Sequence, residues 1–588
     1  MDSTAEDVRD AKRARLTPSA GDDVDLISSL EDDVRLRVLG LMPDATDAAR
    51  AAAISRRWLR LWARVPALRF ASRPVPRSAG GAEWLAALDA FVSFVDGALA
   101  RHAQSGCAIE SLSISYTREW ETASSDSDHT EQEEEEEPML ALFAGACFRL
   151  SEQDLEQLML VSVGAAQGWI RHAFQHGVRS LVLDMPLPVR AKLRGGRDDD
   201  EYRDYDGVEE GEKKPLLVHL DGLPSPAGLE TMRLALGGAR LRLSAAAMTM
   251  RFASLKDLSL ERIKIADRGG ARLLARLVSS ASCPLLRKLR MSKLRFPNRM
   301  RLDARVLSEL WVEDVSVMSL ELRTPSLRVL RMDECCHEVL SLSAPRLEEF
   351  ALFFRLGCQP HRLLFDGDLP RMASLNLCIW SHRGRTFHWG EHNDGCVLLL
   401  KRCSALTCLE VTLDGPKVRV FEDHVDLIKD KVPHQPQITS LTVNVSEAFE
   451  RHDFGAGVAN LLTRFTNLRD LSLHLPFFIE LHGDLDEGLG LECDHPDHWT
   501  SNEISLAHLK EIELTGLTGT DCELWFMHVV LASAKRLCKV AISFNRECWQ
   551  RQCCQVEGMM DTFERVLLDE GMQTSCRVEH KLTCILGN

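Results

Sequence analysis

The chain is dominated by short apolar triplets in which the first, fourth and sixth positions are leucine or a close substitute. They stand at Leu229/Met232/Leu234, Leu255/Leu258/Leu260, Leu286/Leu289/Met291, Leu307/Leu310/Val312, Leu327/Leu330/Met332 and Leu347/Phe350/Leu352. A shorter version occurs at Leu181 and Leu183, and less regular ones at Met372/Leu375/Leu377, Leu406/Leu409/Val411, Ile438/Leu441/Val443 and Leu468/Leu471/Leu473. The leading leucines at 307, 327 and 347 are 20 residues apart. A triplet of this kind fits a helix, because positions i and i+3 share a face, and also a strand, because the last two apolar positions alternate. Each triplet is followed by further alternating apolar residues, as Leu260 is by Ile263 and Ile265, and is broken by Pro, Gly or Asp soon after. Helices of ordinary length rarely fit between such breaks. The pattern therefore predicts one strand per repeat, stacked into a curved parallel sheet whose alternate side chains share a continuous core. Spacings that stretch from 20 to about 30 residues predict loops and helices of unequal length on the convex side.

The N-terminal part follows a helical period. Leu30, Val34, Val38, Leu41 and Met42 place an apolar face on a helix over 31–41, with Asp32 and Asp33 in the first turn and Pro43 as its stop. Asp44 or Thr46 suits the cap of a second short helix over 48–53, and Ser55 the cap of a third. Trp58 and Trp62 stand four apart on one face of that third helix. Three helices this short cannot bury all their apolar groups among themselves, so the leftover surface implies a partner. Near the other end, Leu509, Ile512, Leu514 and Leu517 form one more strand-like unit, Gly516 and Gly519 mark a turn, and 523–534 has helical periodicity.

Three resemblances follow from these strings. Residues 25–62 resemble an F-box: Ile54-Ser55-Arg56-Arg57-Trp58 and Leu61-Trp62 match the end of the family pattern. The leucine-proline pair that opens the family is Leu30-Glu31 here. In relatives the proline presets the first helical turn and touches the adaptor, so its exchange implies weaker assembly, although Glu also suits a first turn. The triplets resemble leucine-rich repeats at the short end of their length range. Residues 506–545 resemble the FBD domain that closes many plant F-box/leucine-rich-repeat proteins, with its glycine turn, glutamate-leucine helix and closing strand.

The expected fold class is α/β: a small N-terminal three-helix F-box followed by a leucine-rich-repeat solenoid with a curved parallel sheet. Residues 1–22 are expected to be a disordered N-terminus, 23–70 the F-box, and 71–175 a helical linker with the start of the solenoid. The solenoid proper spans 176–500, and 501–588 is an FBD-like cap over its open apolar end. Functionally, the resemblance implies the substrate-recognition subunit of a Skp-cullin-F-box ubiquitin ligase, without catalytic residues, cofactor or metal of its own. Its partners are a Skp-type adaptor, through it a cullin, and a protein substrate held on the solenoid. The adaptor-binding residues it implies are Leu30, Val34, Val38, Leu41, Met42, Pro43, Ile54, Trp58 and Trp62. Two alternatives stay open: a ligand-sensing F-box receptor with a small-molecule pocket atop the solenoid, and a non-ligase scaffold with a degenerate F-box.

Charge and composition narrow the partners. The 588 residues carry a net charge of −16, but 121–137 holds nine acids without a Lys or Arg, and 197–214 holds nine acids against four bases. These stretches read as two solvated acidic loops. They leave a near-neutral body that is poorly suited to a nucleic-acid partner, which calls for clustered Lys and Arg. No run of 18 apolar residues occurs, and the opening MDSTAEDVRD lacks a basic-then-apolar signal. The expected place is therefore the cytoplasm and/or nucleus, with no membrane partner. The KRAR string at 12–15 reads more readily as a basic tail than as a nuclear address.

The 18 cysteines contain no CxxC pair and read as reduced thiols. Cys493, His495 and His498, and the Cys335-Cys336-His337 run, lack the spacing of a zinc site. His382, His388 and His392 beside Trp380 and Trp389 read as a rim-loop feature that suits binding. The glycosylation-like Asn444-Val-Ser446 lies in a strand pattern and reads as coincidence. No phosphate loop, HExxH, GxSxG or GxGxxG occurs, so a hydrolase is the class least favoured.

Overall fold

A computed structural model describes residues 30–73, 81–116, 152–185, 217–353, 362–380, 389–414, 431–445, 454–475 and 504–586, less 43, 54–55, 220–222, 227, 238, 243–249, 266–269, 297–298, 336, 519–520, 547–553 and 579. The expected disordered N-terminus at 1–22 and the acidic loops at 121–137 and 197–214 lie outside the described residues. The architecture is mixed α/β, a large and mostly parallel sheet with ten helices among the described residues.

Three short helices come first: α1 (Asp32–Leu41), α2 (Ala45–Ala53) and α3 (Arg56–Trp62). β1 (Ala67–Ala71), α4 (Gly81–Ser105), β2 (Ser111–Ser115), α5 (Glu152–Gln175) and β3 (Ser180–Asp184) follow. Strands then alternate between two walls: β4 (Leu217–His219), β5 (Thr231–Ala235), β6 (Arg240–Arg242), β7 (Asp257–Glu261) and β8 (Lys264–Ile265). After α6 (Gly270–Leu277) come β9 (Lys288–Phe296), β10 (Met300–Asp303), β11 (Glu309–Val317), β12 (Ser319–Arg323), β13 (Val329–Asp333), β14 (Val339–Ser343), β15 (Glu349–Phe353) and β16 (Arg362–Phe365). β17 (Ser374–Trp380), α7 (Trp389–Arg402), β18 (Cys408–Asp414), β19 (Ser440–Val445), α8 (Phe454–Leu462) and β20 (Asp470–His474) continue the main wall. The chain closes with β21 (Glu511–Leu517), α9 (Asp521–Ser533), β22 (Lys539–Phe544), α10 (Cys554–Asp569), β23 (Met572–Val578) and β24 (Lys581–Leu586).

The main sheet runs β1, β2, β3, β5, β7, β9, β11, β13, β15 and then β17 to β22, every neighbour parallel. Its register stacks the middle apolar residue of each triplet on the next. Leu289, Leu310, Leu330, Phe350, Leu375 and Leu409 lie side by side, each buried. Such a row holds only in one register, because a slip by one residue would turn every leucine outward. The sheet begins well before Leu181: Val65/Leu68/Phe70 and Ile109/Leu112/Ile114 obey the same triplet and are buried in β1, β2 and the residues leading into them. At the far end β24 pairs antiparallel with β22, and β23 antiparallel with β24.

Between 217 and 365 the second wall keeps one of the expected helices, α6, packed against β10, and is otherwise not made of loops and helices. The rest of it consists of two further parallel ladders, β4–β6–β8 and β10–β12–β14–β16. A 20-residue repeat is too short for a helical crossover, which needs about 10–12 residues of its own besides the strand. The alternating SLELR and VLSLS strings supply that second strand, burying Leu320, Leu322, Leu340 and Leu342. Corners between the two walls recur at one position. Arg262, Lys293, Asp314 and Glu334, each two residues after the third triplet residue, have φ of 49°, 55°, 48° and 50°. Gly516 occupies the same position with φ 82°, and a Cβ there would collide with the carbonyl oxygen of Leu475. Elsewhere helices close the core: α5 lies along α4 and β4, α7 against β16 and β17, and α10 against β23 and β24. One hydrophobic cluster runs unbroken from Leu39 to Cys584.

Burial lowers the pKa of one histidine on each of α4 and α5, His102 and His172. His172 and His176 stack with ring centroids 4.0 Å apart, and the His102 ring nitrogen Nε2 lies 3.0 Å from the carbonyl oxygen of Val65. Burial holds His102 below its ordinary value, opposed by that hydrogen bond; burial, then the charges of His176 and His102, lowers His172 to about 4. The unfolded chain therefore takes up protons on these groups from pH 6.5 downward while the folded chain resists them. Their contribution is present in full above pH 6.5 and is lost as the pH falls towards about 4. We expect the urea midpoint to fall between pH 7.5 and pH 5 by more in the wild type than in His172→Asn. Equal falls would contradict this assignment.

Candidate docking surface on the N-terminal helices

α1 starts at Glu31, whose backbone stands at φ −65° and ψ 153° and whose side chain makes no capping hydrogen bond. Asp32 and Asp33 fill the first turn, where the helix dipole favours acids. The last turn ends at Met42, whose N–H donates to the carbonyl of Leu39 over 3.3 Å. The buried side of α1 carries Arg35 and Leu39, one turn apart. Arg35 is 1% exposed; its guanidinium lies 5.7 Å from the centroid of the Trp58 ring and 3.7 Å from the Asp32 carboxylate. A buried guanidinium stacked on an indole thus joins α1 to α3.

A neighbouring side of α1 presents apolar residues to solvent. Val34, Val38 and Leu41, spaced i, i+4 and i+7, are 42%, 38% and 80% exposed. Leu30 and Met42 are half-buried at the two ends of the helix. On α3, Trp58 is half-buried against the core while Leu61 and Trp62 are within it; Trp62 is 4% exposed, under the Arg101 guanidinium at 5.7 Å from its ring centroid. The residues that sequence alone grouped as one set therefore divide. Val34, Val38 and Leu41 are accessible, Leu30 and Met42 are half-buried at the ends of their helix, Trp58 lies under Arg35 on the packed side, and Trp62 holds the helices to the rest of the chain. Pro43 and Ile54 lie outside the described residues, as do the side chains of Arg56 and Arg57.

The helices are tied to the first strand of the sheet. The Ala71 N–H donates to the Asp44 carboxylate over 3.2 Å, and Ser105 Oγ donates to the carbonyl of Ala63 over 2.8 Å. α2 also packs against β1. This fixes the outward side of α1 relative to the sheet. Leu39 and Arg35, which do the internal packing, were absent from the sequence-based set. Their one-turn spacing was the available signal, but a charged residue in an otherwise apolar environment hid it.

The other candidates do not assemble a chemical centre. His392 is buried, with Nε2 2.9 Å from the Cys378 carbonyl oxygen and 3.4 Å from Cys396 Sγ. Burial pushes the Cys396 thiol far up, which removes it as a nucleophile. Cys335 is buried with Sγ 3.4 Å and 3.3 Å from the carbonyl oxygens of Val312 and Asp333. Asn444 on β19 donates to Glu410 Oε1 over 2.7 Å. Cys336, His382, His388, Cys493, His495, His498, Ser446 and Gly519 lie outside the described residues. Among the described residues, no three His, Cys, Asp or Glu side chains are grouped to hold a metal, and no helix is long and apolar enough to cross a membrane.

No protein-family model matches this chain, and no curated protein matches it.

The division within α1 sets an expected outcome. Leu39→Ala should cost about 2–5 kcal/mol, as buried leucine truncations do. Leu41→Asp should change stability by no more than about 0.5 kcal/mol. Urea denaturation of both variants checks this, and a large loss from Leu41→Asp would overturn the placement of α1.

Proposed function

We propose that this chain is the substrate-recognition subunit of a Skp-cullin-F-box ubiquitin ligase. In this reading α1 to α3 are an F-box, the stacked strands a leucine-rich-repeat solenoid, and 501–588 an FBD-like cap. The observation that carries it is the exposed apolar line Val34, Val38 and Leu41 on a helix whose other side is tied through Trp58 to α3. An apolar line kept on the surface while its own helix packs by other residues has the character of a docking surface. A Skp-type adaptor is the partner implied by the motif that follows it, Ser55-Arg56-Arg57-Trp58 with Leu61-Trp62.

The function follows from position rather than bond chemistry. Held at one end by the adaptor and through it by a cullin, the chain would keep a protein substrate beside a charged conjugating enzyme and raise the effective concentration of its lysines. No catalytic residue, cofactor or metal is assigned. The work would take place in the cytoplasm and/or nucleus. Glu31 is compatible with this reading, since its φ of −65° is the value a proline would fix.

The test is capture of tagged full-length chain from cells, beside a Val38→Asp/Leu41→Asp variant, with mass spectrometry of what co-elutes. Adaptor and cullin should accompany the wild type and be depleted at least tenfold from the variant. Absence of both from a folded wild-type chain would contradict the ligase reading.

A further inference from the structure

Among the described residues, the face of the main sheet that points away from the core carries one aromatic residue in its middle row, Trp311 on β11, 36% exposed. The register places Arg290 of β9 directly on one side and Arg331 of β13 on the other. Their guanidiniums lie 5.2 Å and 5.1 Å from the indole centroid, one from each neighbouring strand. An indole flanked by a cation on each side is favoured in this position, which lowers the ordering cost of using its exposed edge for binding. Sheet residues chosen only for solubility would not place an indole at this point.

The surroundings state what kind of partner fits. Arg331 is engaged by Glu349, with Nε and Nη2 2.9 Å and 2.6 Å from one carboxylate oxygen. Arg290 reaches Glu313 only at 3.4 Å. Glu313 and Asp333 lie directly opposite each other on β11 and β13, and Asp333 makes no ion pair among the described residues. Phe353 stands beside Asp333 on β15 and is 38% exposed. Across β9, β11, β13 and β15 the order is Arg290, Trp311, Arg331 and, two residues further along its strand, Phe353, so Arg331 alone lies between the two exposed rings, and Glu313, Asp333, Glu334 and Glu349 lie on the strands around it. Asp333 is held above its ordinary value, by burial first and then by the charges of Glu334 and Glu313. A nearby cation would relieve that crowding.

We infer that Trp311, Phe353, Glu313 and Asp333 form a docking site for a partner-protein segment with a Lys or Arg next to a large apolar side chain. The cation lies between Glu313 and Asp333, and the apolar side chain lies against the rings of Trp311 and Phe353. The acidic surplus disfavours a nucleic acid, whose phosphates need clustered bases. Under the ligase reading this site would hold the substrate, but the inference rests on the sheet alone and is independent of α1.

The experiment is selection of a phage-displayed random peptide library on immobilised full-length chain, followed by titration of enriched peptides against variants. Selected peptides should pair Lys or Arg with a large apolar neighbour. They should bind Trp311→Ala/Phe353→Ala at least tenfold more weakly, and Glu313→Gln/Asp333→Asn should lose the preference for the basic residue. Val38→Asp/Leu41→Asp should bind them as the wild type does. Peptides that bind every variant equally, acidic consensus sequences, or no enrichment over bare support would each overturn the inference. Loss of peptide binding from the sheet variants with adaptor capture intact separates this site from the docking of α1.

Discussion

Everything in this molecule hangs on register. Each strand of the main sheet buries alternate side chains only because the next strand covers them, and the fit requires the middle triplet residue of one rung to meet that of the next. The row Leu289, Leu310, Leu330, Phe350 shows the constraint at its strictest, where the repeat is 20 or 21 residues and both walls of the core are strands. No single rung has an inside until its neighbours are present, so stability is a nearest-neighbour property. The two ends need different solutions: α1 to α3 and α4 lie at one, and the antiparallel β22–β24–β23 turn lies at the other.

The same register frees the alternate positions. With the leucines committed to the core, residues such as Arg290, Trp311 and Arg331 are available on the outer face at fixed separations of one strand. Rigid elements carry a binding surface with less ordering cost than loops do. On α1 the outcome is similar by another route: Arg35 and Leu39 take over the packing, and Val34, Val38 and Leu41 are left outward. Both surfaces are apolar or aromatic groups left exposed on elements that pack by other residues.

Much of the fold was legible because the alternating residues and the Pro, Gly or Asp breaks after each triplet leave room for a strand and not for a helix. The strands beginning near 180 followed from that pattern, and β1 and β2 obey the same triplet at Val65/Leu68/Phe70 and Ile109/Leu112/Ile114. They were harder to see because α4 and α5 separate the triplets by far more than one period. The second ladder escaped for the opposite reason: Leu320-x-Leu322 and Leu340-x-Leu342 are too short to stand out beside the triplets, yet alternate as strands do. At the docking surface, residue identity was legible and orientation was not. Leu41 and Leu39 look alike in a string, and only the stacking of Arg35 on Trp58 decides which of them faces water.

The central claim is that the exposed side of α1 is a docking surface for an adaptor, while the main sheet is held by its own register. Amide hydrogen exchange of the full-length chain, alone and with a purified Skp-type adaptor, tests it most directly. The account predicts added protection over 32–41, with exchange in the strands from β3 to β22 unchanged. Unaltered exchange over 32–41 at saturating adaptor, or protection confined to the sheet, would contradict it.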